Sequence, residues 1–249
     1  MGGELASQLV CRPVRDLPVG VLRVSGTLDA VTGEALQQAV RNSLAAQPVR
    51  LLLDVSALRV GDPVGVAALC AVACQSAEWP GVPIVLCGAD RRTTEAIGAP
   101  PDCPALSFAP DCAQALAAAS GEPEPARIRV RLRPVPDACR QVRQLVTSSC
   151  AAWHRTELAA TAALIATELV ANVVRHAHTT MEFTFALRDG GLSMAVRDGS
   201  RRLPRPVEPG PSDSGGRGLR LVRDLTDAWG VLPVRDGKVV WTHLTSGAV

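Results

Sequence analysis

The chain has 249 residues, 47% of them hydrophobic, and a formal net charge of +2 at pH 7. That length suits two domains, on a prior of about 150 residues each, and the apolar content supplies two cores. The small charge, with arginine spread through both halves and no polybasic block, argues against direct contact with nucleic acid or an anionic membrane and leaves nucleotides and proteins as the expected partners. The amino terminus, Met1-Gly2-Gly3-Glu4-Leu5, has no basic region followed by an apolar core, which argues against secretion. The longest apolar run, roughly 64–74, falls short of the ~20 residues that span a bilayer, so a cytoplasmic chain is expected. Eight cysteines sit in apolar patterns such as Ile84-Val85-Leu86-Cys87 and read as buried thiols rather than disulfides. Cys70 with Cys74, and His176 with His178, lack two further ligands at zinc-like spacing, so no metal is expected beyond nucleotide-borne magnesium.

Taken in order, residues 8–15 and 20–25 predict two short strands joined at Asp16-Leu17-Pro18, with Gly26-Thr27-Leu28-Asp29 breaking the second. A helix over 30–46 carries Leu36, Val40 and Leu44 on one side. The continuous apolar run 50–55 suits a strand buried on both faces. An Ala-rich helix over 65–78, a strand over 82–87, a short helix near Thr93, a strand around Leu106 and a helix over 111–119 follow. Strands alternating with helices predict a largely parallel or mixed sheet covered by helices. Residues 121–126, within which Gly121-Glu122-Pro123-Glu124-Pro125 is charged and Pro-rich, are the predicted linker between domains at 1–120 and 127–249. Beyond it come a strand over 127–133 and a helix over 137–153. Leu158, Ala162, Ile165, Leu169, Val173 and Val174 then mark a long helix, which carries Glu168 and Asn172 one turn apart on one face. A hairpin over 183–188 and 192–197 turns at Asp189-Gly190-Gly191. Asp198-Gly199 opens a stretch without periodicity, punctuated by Pro204, Pro206, Pro209 and Pro211, whose length predicts a functional lid. A helix over 216–228 and a hairpin around Asp236-Gly237 close the chain.

In the first half, Gly26-Thr27-Leu28-Asp29 and Leu52-Leu53-Asp54-Val55-Ser56, in this element order, resemble the STAS domain of anti-sigma-factor antagonists over nearly all of residues 8–119. The resemblance implies a protein-binding module without a cofactor, switched by phosphorylation of a serine in an Asp-Ser-Ser-Gly turn at a helix N-terminus. The matching turn here is Asp62-Pro63-Val64-Gly65, and valine has no hydroxyl to accept a phosphoryl group. The domain is therefore expected to keep one binding state. Drift in a scaffold and a selected constitutive binder both fit that departure.

In the second half, Glu168-Leu169-Val170-Ala171-Asn172, Asp198-Gly199, Gly216-Arg217-Gly218-Leu219 and Gly237-Lys238-Val239-Val240-Trp241 resemble, in that order, the nucleotide-binding motifs of the Bergerat-fold ATPase and kinase superfamily. That superfamily includes gyrase, MutL and histidine kinases, and the run from Arg127 onward is most similar to the small bacterial anti-sigma-factor serine kinases. The fold class implied for the whole chain is α/β: a STAS-like sheet with helices, then a Bergerat-fold α/β sandwich. The resemblance implies ATP and magnesium as cofactors, with Asp198 accepting from the exocyclic amine of adenine and Gly199 letting the backbone come close. It places Gly216, Arg217, Gly218 and Leu219 at a helix start facing the phosphates. It also implies that Asn172 holds magnesium through its side-chain carbonyl and that Glu168 is the general base. Arg201 and Arg202 read as solvated loop cations, with phosphate contact as the alternative. His176 reads as a hydrogen-bonded helix-end histidine, with orientation of phosphate or lid as the alternative. Val239 stands where many relatives carry a threonine that holds adenine through water.

Two functions follow from the resemblance. One is an ATP-dependent serine/threonine protein kinase that phosphorylates a separate STAS partner, binds a sigma factor, or both. The other is a catalytically silent, nucleotide-gated module for partner switching. A sensor histidine kinase is disfavoured, because His154 lacks the helical dimerisation segment such an acceptor needs. The residues leave the oligomeric state open, a homodimer included.

Overall fold

The computed structural model describes residues 8–78, 81–98, 106–120, 126–188, 190–203 and 217–246. The chain divides into two units, Met1–Glu124 and Pro125–Val249.

In the first unit β1 (Leu9–Arg15) pairs antiparallel with β2 (Val19–Leu28). The chain then alternates through α1 (Gly33–Leu44), β3 (Arg50–Val60), α2 (Pro63–Glu78), β4 (Ile84–Cys87), α3 (Arg91–Ile97), β5 (Leu106–Ala109) and α4 (Cys112–Ser120). The sheet order is β1-β2-β3-β4-β5, parallel from β2 onward. As the unbroken apolar run predicts, β3 is buried on both faces. Leu51, Leu53 and Val55 pack with Leu36 and Val40 of α1 and Leu69 and Val72 of α2, whereas Leu52 joins Val85, Ala119 and Leu116 on the opposite side.

Several boundaries differ from expectation, the largest for local reasons. β2 runs through Gly26 to Leu28, because Gly26, at φ 107°, bends the strand while still pairing with Leu9 and Leu58. β3 likewise continues past Ser56 to Val60, with a register shift against β2 between Arg23 and Ser25. α1 starts at Gly33 rather than 30. Its approach is tied into a turn in which the amides of Val31 and Thr32 each donate to Asp29 Oδ1 at 3.0 Å, while the Asp29 amide donates to Thr32 Oγ1 at 2.9 Å. α2 begins at Pro63, a favoured first helical residue, and Asp62 caps it by accepting from the Gly65 amide at 2.8 Å.

The second unit contains β6 (Arg127–Leu132), α5 (Asp137–Ala152), α6 (Ala159–Asn172), β7 (Met181–Arg188), β8 (Gly191–Asp198), α7 (Arg217–Asp224), β9 (Ala228–Val234) and β10 (Gly237–Leu244). Its sheet is antiparallel throughout, in the order β6-β7-β8-β10-β9. One face, carrying Phe183, Phe185, Met194, Val196 and Val240, packs with Val142, Val146 and Cys150 of α5 and with Ile165 and Leu169 of α6. Trp153 stacks on Phe185 with centroids 4.9 Å apart. The expected hairpin is present, Arg188 pairing with Gly191 and Gly190 standing at φ 76°, while Asp189 lies outside the described residues.

The last helix is shorter than expected, ending at Asp224 rather than 228. The Leu225 amide and the Thr226 hydroxyl close it back onto the Val222 carbonyl, and Ala228 instead opens β9, whose Trp229 pairs with Thr242. The helical stretch Thr156–Ala177, 22 residues, is long and apolar enough to cross a membrane, unlike the 64–74 run; half of it is buried, and Ile165, Ala166 and Val170 are fully covered within this core. All seven described cysteines are free; Cys87 and Cys150 are buried, but Cys74, expected inside, is exposed.

Candidate functional site

The inward stripe of α6 leaves Glu168 and Asn172 on the side that meets α7. A Cβ added at Gly218 would lie 2.5 Å from Glu168 Oε2 and 3.9 Å from Asn172 Oδ1. Helix α7 thus approaches α6 at the acid and the amide, and a side chain at position 218 would displace the Glu168 carboxylate. Leu219, the next residue, packs against the core at this end. Among the described residues the Asn172 side chain makes no hydrogen bond, which leaves its amide oxygen available, and oxygen is the donor magnesium takes. Gly216 and the stretch 204–215 of the expected lid lie outside the described residues. Arg201 and Arg202 are exposed.

Beyond Asn172 the helix loosens into a π turn, Val173–Ala177, ending at His178 in the left-handed region at φ 54°. Such turns recur at functional sites. Here the turn carries Arg175, whose Nη2 reaches back to Glu168 Oε2 at 3.2 Å while its Nε donates to the Ala171 carbonyl at 3.3 Å. His176 is exposed and makes no hydrogen bond among the described residues, contrary to expectation. Nearby, burial pushes the Cys139 thiol up from its ordinary range, with opposing influences from Arg175 and Glu168, so this sulfur is a neutral neighbour of the pair.

Asp198 ends β8 on the helix-covered face, continuing the alternate row Leu192, Met194, Val196. The backbone is tight at Gly237 rather than at Gly199, where a Cβ would make only ordinary contact with Thr179. The Gly199 amide donates to Thr179 Oγ1 at 3.0 Å, and a Cβ at Gly237 would collide with the Asp198 carbonyl. Opposite Asp198 stands Lys238, not Val239. Successive strand residues face opposite ways, so Val239, paired with Arg197, is fully buried on the other face. Lys238 Nζ donates to Asp198 Oδ1 at 2.9 Å and to the Ser200 carbonyl at 3.1 Å.

Two groups therefore emerge: Glu168, Asn172 and Gly218 meet where α6 faces α7, and Asp198, Gly199 and Lys238 form the end of the β8–β10 pair. Sequence reasoning missed Arg175 and Lys238. Arg175, seven residues after Glu168, lies two turns along the helix, a spacing the sequence offers, whereas Lys238 meets Asp198 through the pairing of β8 with β10, residues 40 apart, which no local pattern reveals.

An antiparallel sheet covered by helices on one face makes the second unit an ATPase-like α/β domain. The chain belongs to the histidine kinase-like ATPase domain family, whose model matches residues 112–243, more than half its length. Such a domain implies ATP binding. A second model, described as Mlab, STAS domain, matches residues 11–97, so a STAS-like fold precedes the ATPase-like one. No curated protein matches the chain. Similar solved structures include an anti-sigma factor antagonist from Mycobacterium paratuberculosis, with 31% identity over 45% of this chain and 93% of that one, TM-score 0.36. RsbS of Moorella thermoacetica shows 22% identity over 46% and 96%, TM-score 0.35. The histidine kinase domain of a blue-light activated kinase from Erythrobacter litoralis shows 23% identity over 37% and 46%, TM-score 0.30.

Proposed function

We propose that the chain is a cytoplasmic bacterial regulator whose second unit binds ATP with magnesium and phosphorylates a serine of a separate STAS-domain protein, binding that partner or a sigma factor as it does so. The observation that supports this most is the meeting of Glu168, Asn172 and Gly218. Asn172 would hold the magnesium, which neutralises charge on the phosphate oxygens. Glu168 takes the proton of the serine hydroxyl as the new oxygen–phosphorus bond forms and the bond from the γ-phosphorus to the bridging oxygen breaks. Asp198 accepts from the base. The Arg175 guanidinium paired with Glu168 is about half exposed, and an exposed pair of this kind is worth roughly 0–1 kcal/mol, so phosphate can draw it away at little cost. Phosphorylation is in trans, because Val64 offers no acceptor.

The second reading, nucleotide-gated binding without catalysis, is favoured by one observation: the carboxylate assigned as base is already engaged by Arg175. Labelled ATP incubated with the purified chain, alone and with STAS-domain candidates, separates the two. The kinase reading expects phosphoserine on a partner, none within residues 8–119, and its loss in Glu168→Gln with ATP binding retained. ATP binding without transfer to any partner leaves the second reading standing in its place.

A further inference from the structure

We infer that the outer edge of β6 is a docking strand for a partner protein, which adds to it an extended segment carrying carboxylates at alternate positions. The inference does not depend on the nucleotide site. Residues 127–133 read Arg-Ile-Arg-Val-Arg-Leu-Arg, and the two-residue period of a strand sorts them onto two faces. Ile128, Val130 and Leu132 stand across from Phe185, Phe183 and Met181, and Val130 and Leu132 pack into the core under the helices. Arg127, Arg129 and Arg131 stand across from Ala186, Thr184 and Glu182 on the other face. β6 ends the sheet, and among the described residues β7 is the one strand it pairs with. The Leu187 amide donates to the Ala126 carbonyl at 2.9 Å. Hydrogen-bonded and non-hydrogen-bonded pairs alternate along an antiparallel ladder, so the even positions of β6 bond to β7, and the amides and carbonyls of Arg127, Arg129 and Arg131 point away from it. The outward backbone groups and the guanidinium groups therefore belong to the same residues.

That coincidence decides what the edge takes. A second copy adding antiparallel would set arginine against arginine in the pairs that exchange hydrogen bonds, and like charges directly opposite are destabilising. An acidic segment sets a carboxylate there instead, across from one guanidinium and diagonal to the next. β7 shows the same pairing from the inner side, where Glu182, across from Arg131, lies 3.6 Å from Arg129 Nε. Arg131 and Arg133 are exposed and make no ion pair among the described residues, so their charge is open to a newcomer. A row of nucleic-acid phosphates takes the charge but offers no donor to the edge carbonyls. An extended peptide matches the charge, the amides and the carbonyls together.

The test is fluorescence anisotropy of a labelled synthetic peptide that alternates glutamate with threonine over about eight residues, a strand's length, titrated with the full chain at physiological ionic strength. Saturable binding is expected. Methylating the peptide's glutamate amides keeps every charge but removes the donors to the edge carbonyls, and should weaken binding at least about tenfold. Arg131→Glu should weaken it roughly 5–30-fold, one opposite-charge cross-strand pair being exchanged for a like-charge one, while Arg131→Lys holds it near the unsubstituted value. The methylated peptide needs no variant and so decides the matter even if Arg131→Glu does not fold. Absence of binding, equal binding of the methylated peptide, or equal binding by a folded Arg131→Glu chain overturns the inference. So does tighter binding of a short DNA duplex than of the peptide, or a dimer in sedimentation that Arg131→Glu disrupts, which would assign the edge to nucleic acid or to a second copy.

Discussion

Gly218 carries the constraint nearest the residue assigned as base. A methyl group there would sit 2.5 Å from Glu168 Oε2, well inside van der Waals contact, so either the carboxylate rotates away or α7 backs off. Because Glu168 is part-exposed, rotation is the cheaper response, and Gly218→Ala is expected to lower phosphate transfer at least about tenfold, in line with the cost of misplacing a catalytic group, while moving the melting temperature little. Transfer rate and melting curve measured on the same preparation check this; unchanged transfer would show that Glu168 is not the base. At this scale legibility was uneven. Glu168, Asn172 and Asp198 stood out because chemistry and order marked them. Lys238 did not, because the strand was matched by motif position, and in a strand an offset of one residue exchanges the buried faces.

At the scale of elements, apolar periodicity and turn residues were enough to find the strands and helices of both units, and side-chain hydrogen bonds decided where they stop. Asp29 and Thr32 hold a turn where apolar spacing alone extends α1, and Thr226 ends α7 where spacing extends that helix too. The register shift opposite β3 has a further consequence. Asp54 accepts from the Ser56 hydroxyl at 2.6 Å and from Arg23 Nε at 2.8 Å. Burial pushes this carboxyl up, but the Ser56 and Arg23 contacts outweigh it and hold it below the usual carboxylate range. A depressed folded-state value means that the contribution to stability is complete above the unfolded value, about 3.9, and is lost as pH falls through the folded one. Chemical denaturation of the full chain and of Asp54→Asn is therefore expected to show a stability difference that is constant near neutrality and shrinks below about pH 4. A difference that is flat with pH would mean the carboxyl is not held in its ionised form.

For the whole molecule, the order of motifs conveyed more than any single motif. Glu and Asn at a four-residue spacing are ordinary helix surface; followed by Asp198-Gly199, a glycine corner and a closing strand, they outline a site. The part that was not legible is what the fold adds between distant segments. The Lys238–Asp198 pair joins residues 40 apart in sequence, and the Arg175–Glu168 pair depends on a π turn that apolar spacing does not reveal. In the first unit the turn Asp62-Pro63-Val64-Gly65 is built as a helix cap, with Asp62 also accepting from the Ala30 amide at 2.9 Å, so it keeps its architecture without a phosphate acceptor. The central claim, that Asn172 and its neighbours on α6 form a magnesium-dependent ATP site, is tested most directly by calorimetric titration of ATP into the full chain with and without Mg²⁺, and into Asn172→Ala. Saturable binding that Mg²⁺ strengthens in the unsubstituted chain, and that loses this Mg²⁺ dependence in Asn172→Ala, is the predicted result; no heat from the unsubstituted chain, or the same Mg²⁺ dependence in the variant, would contradict it.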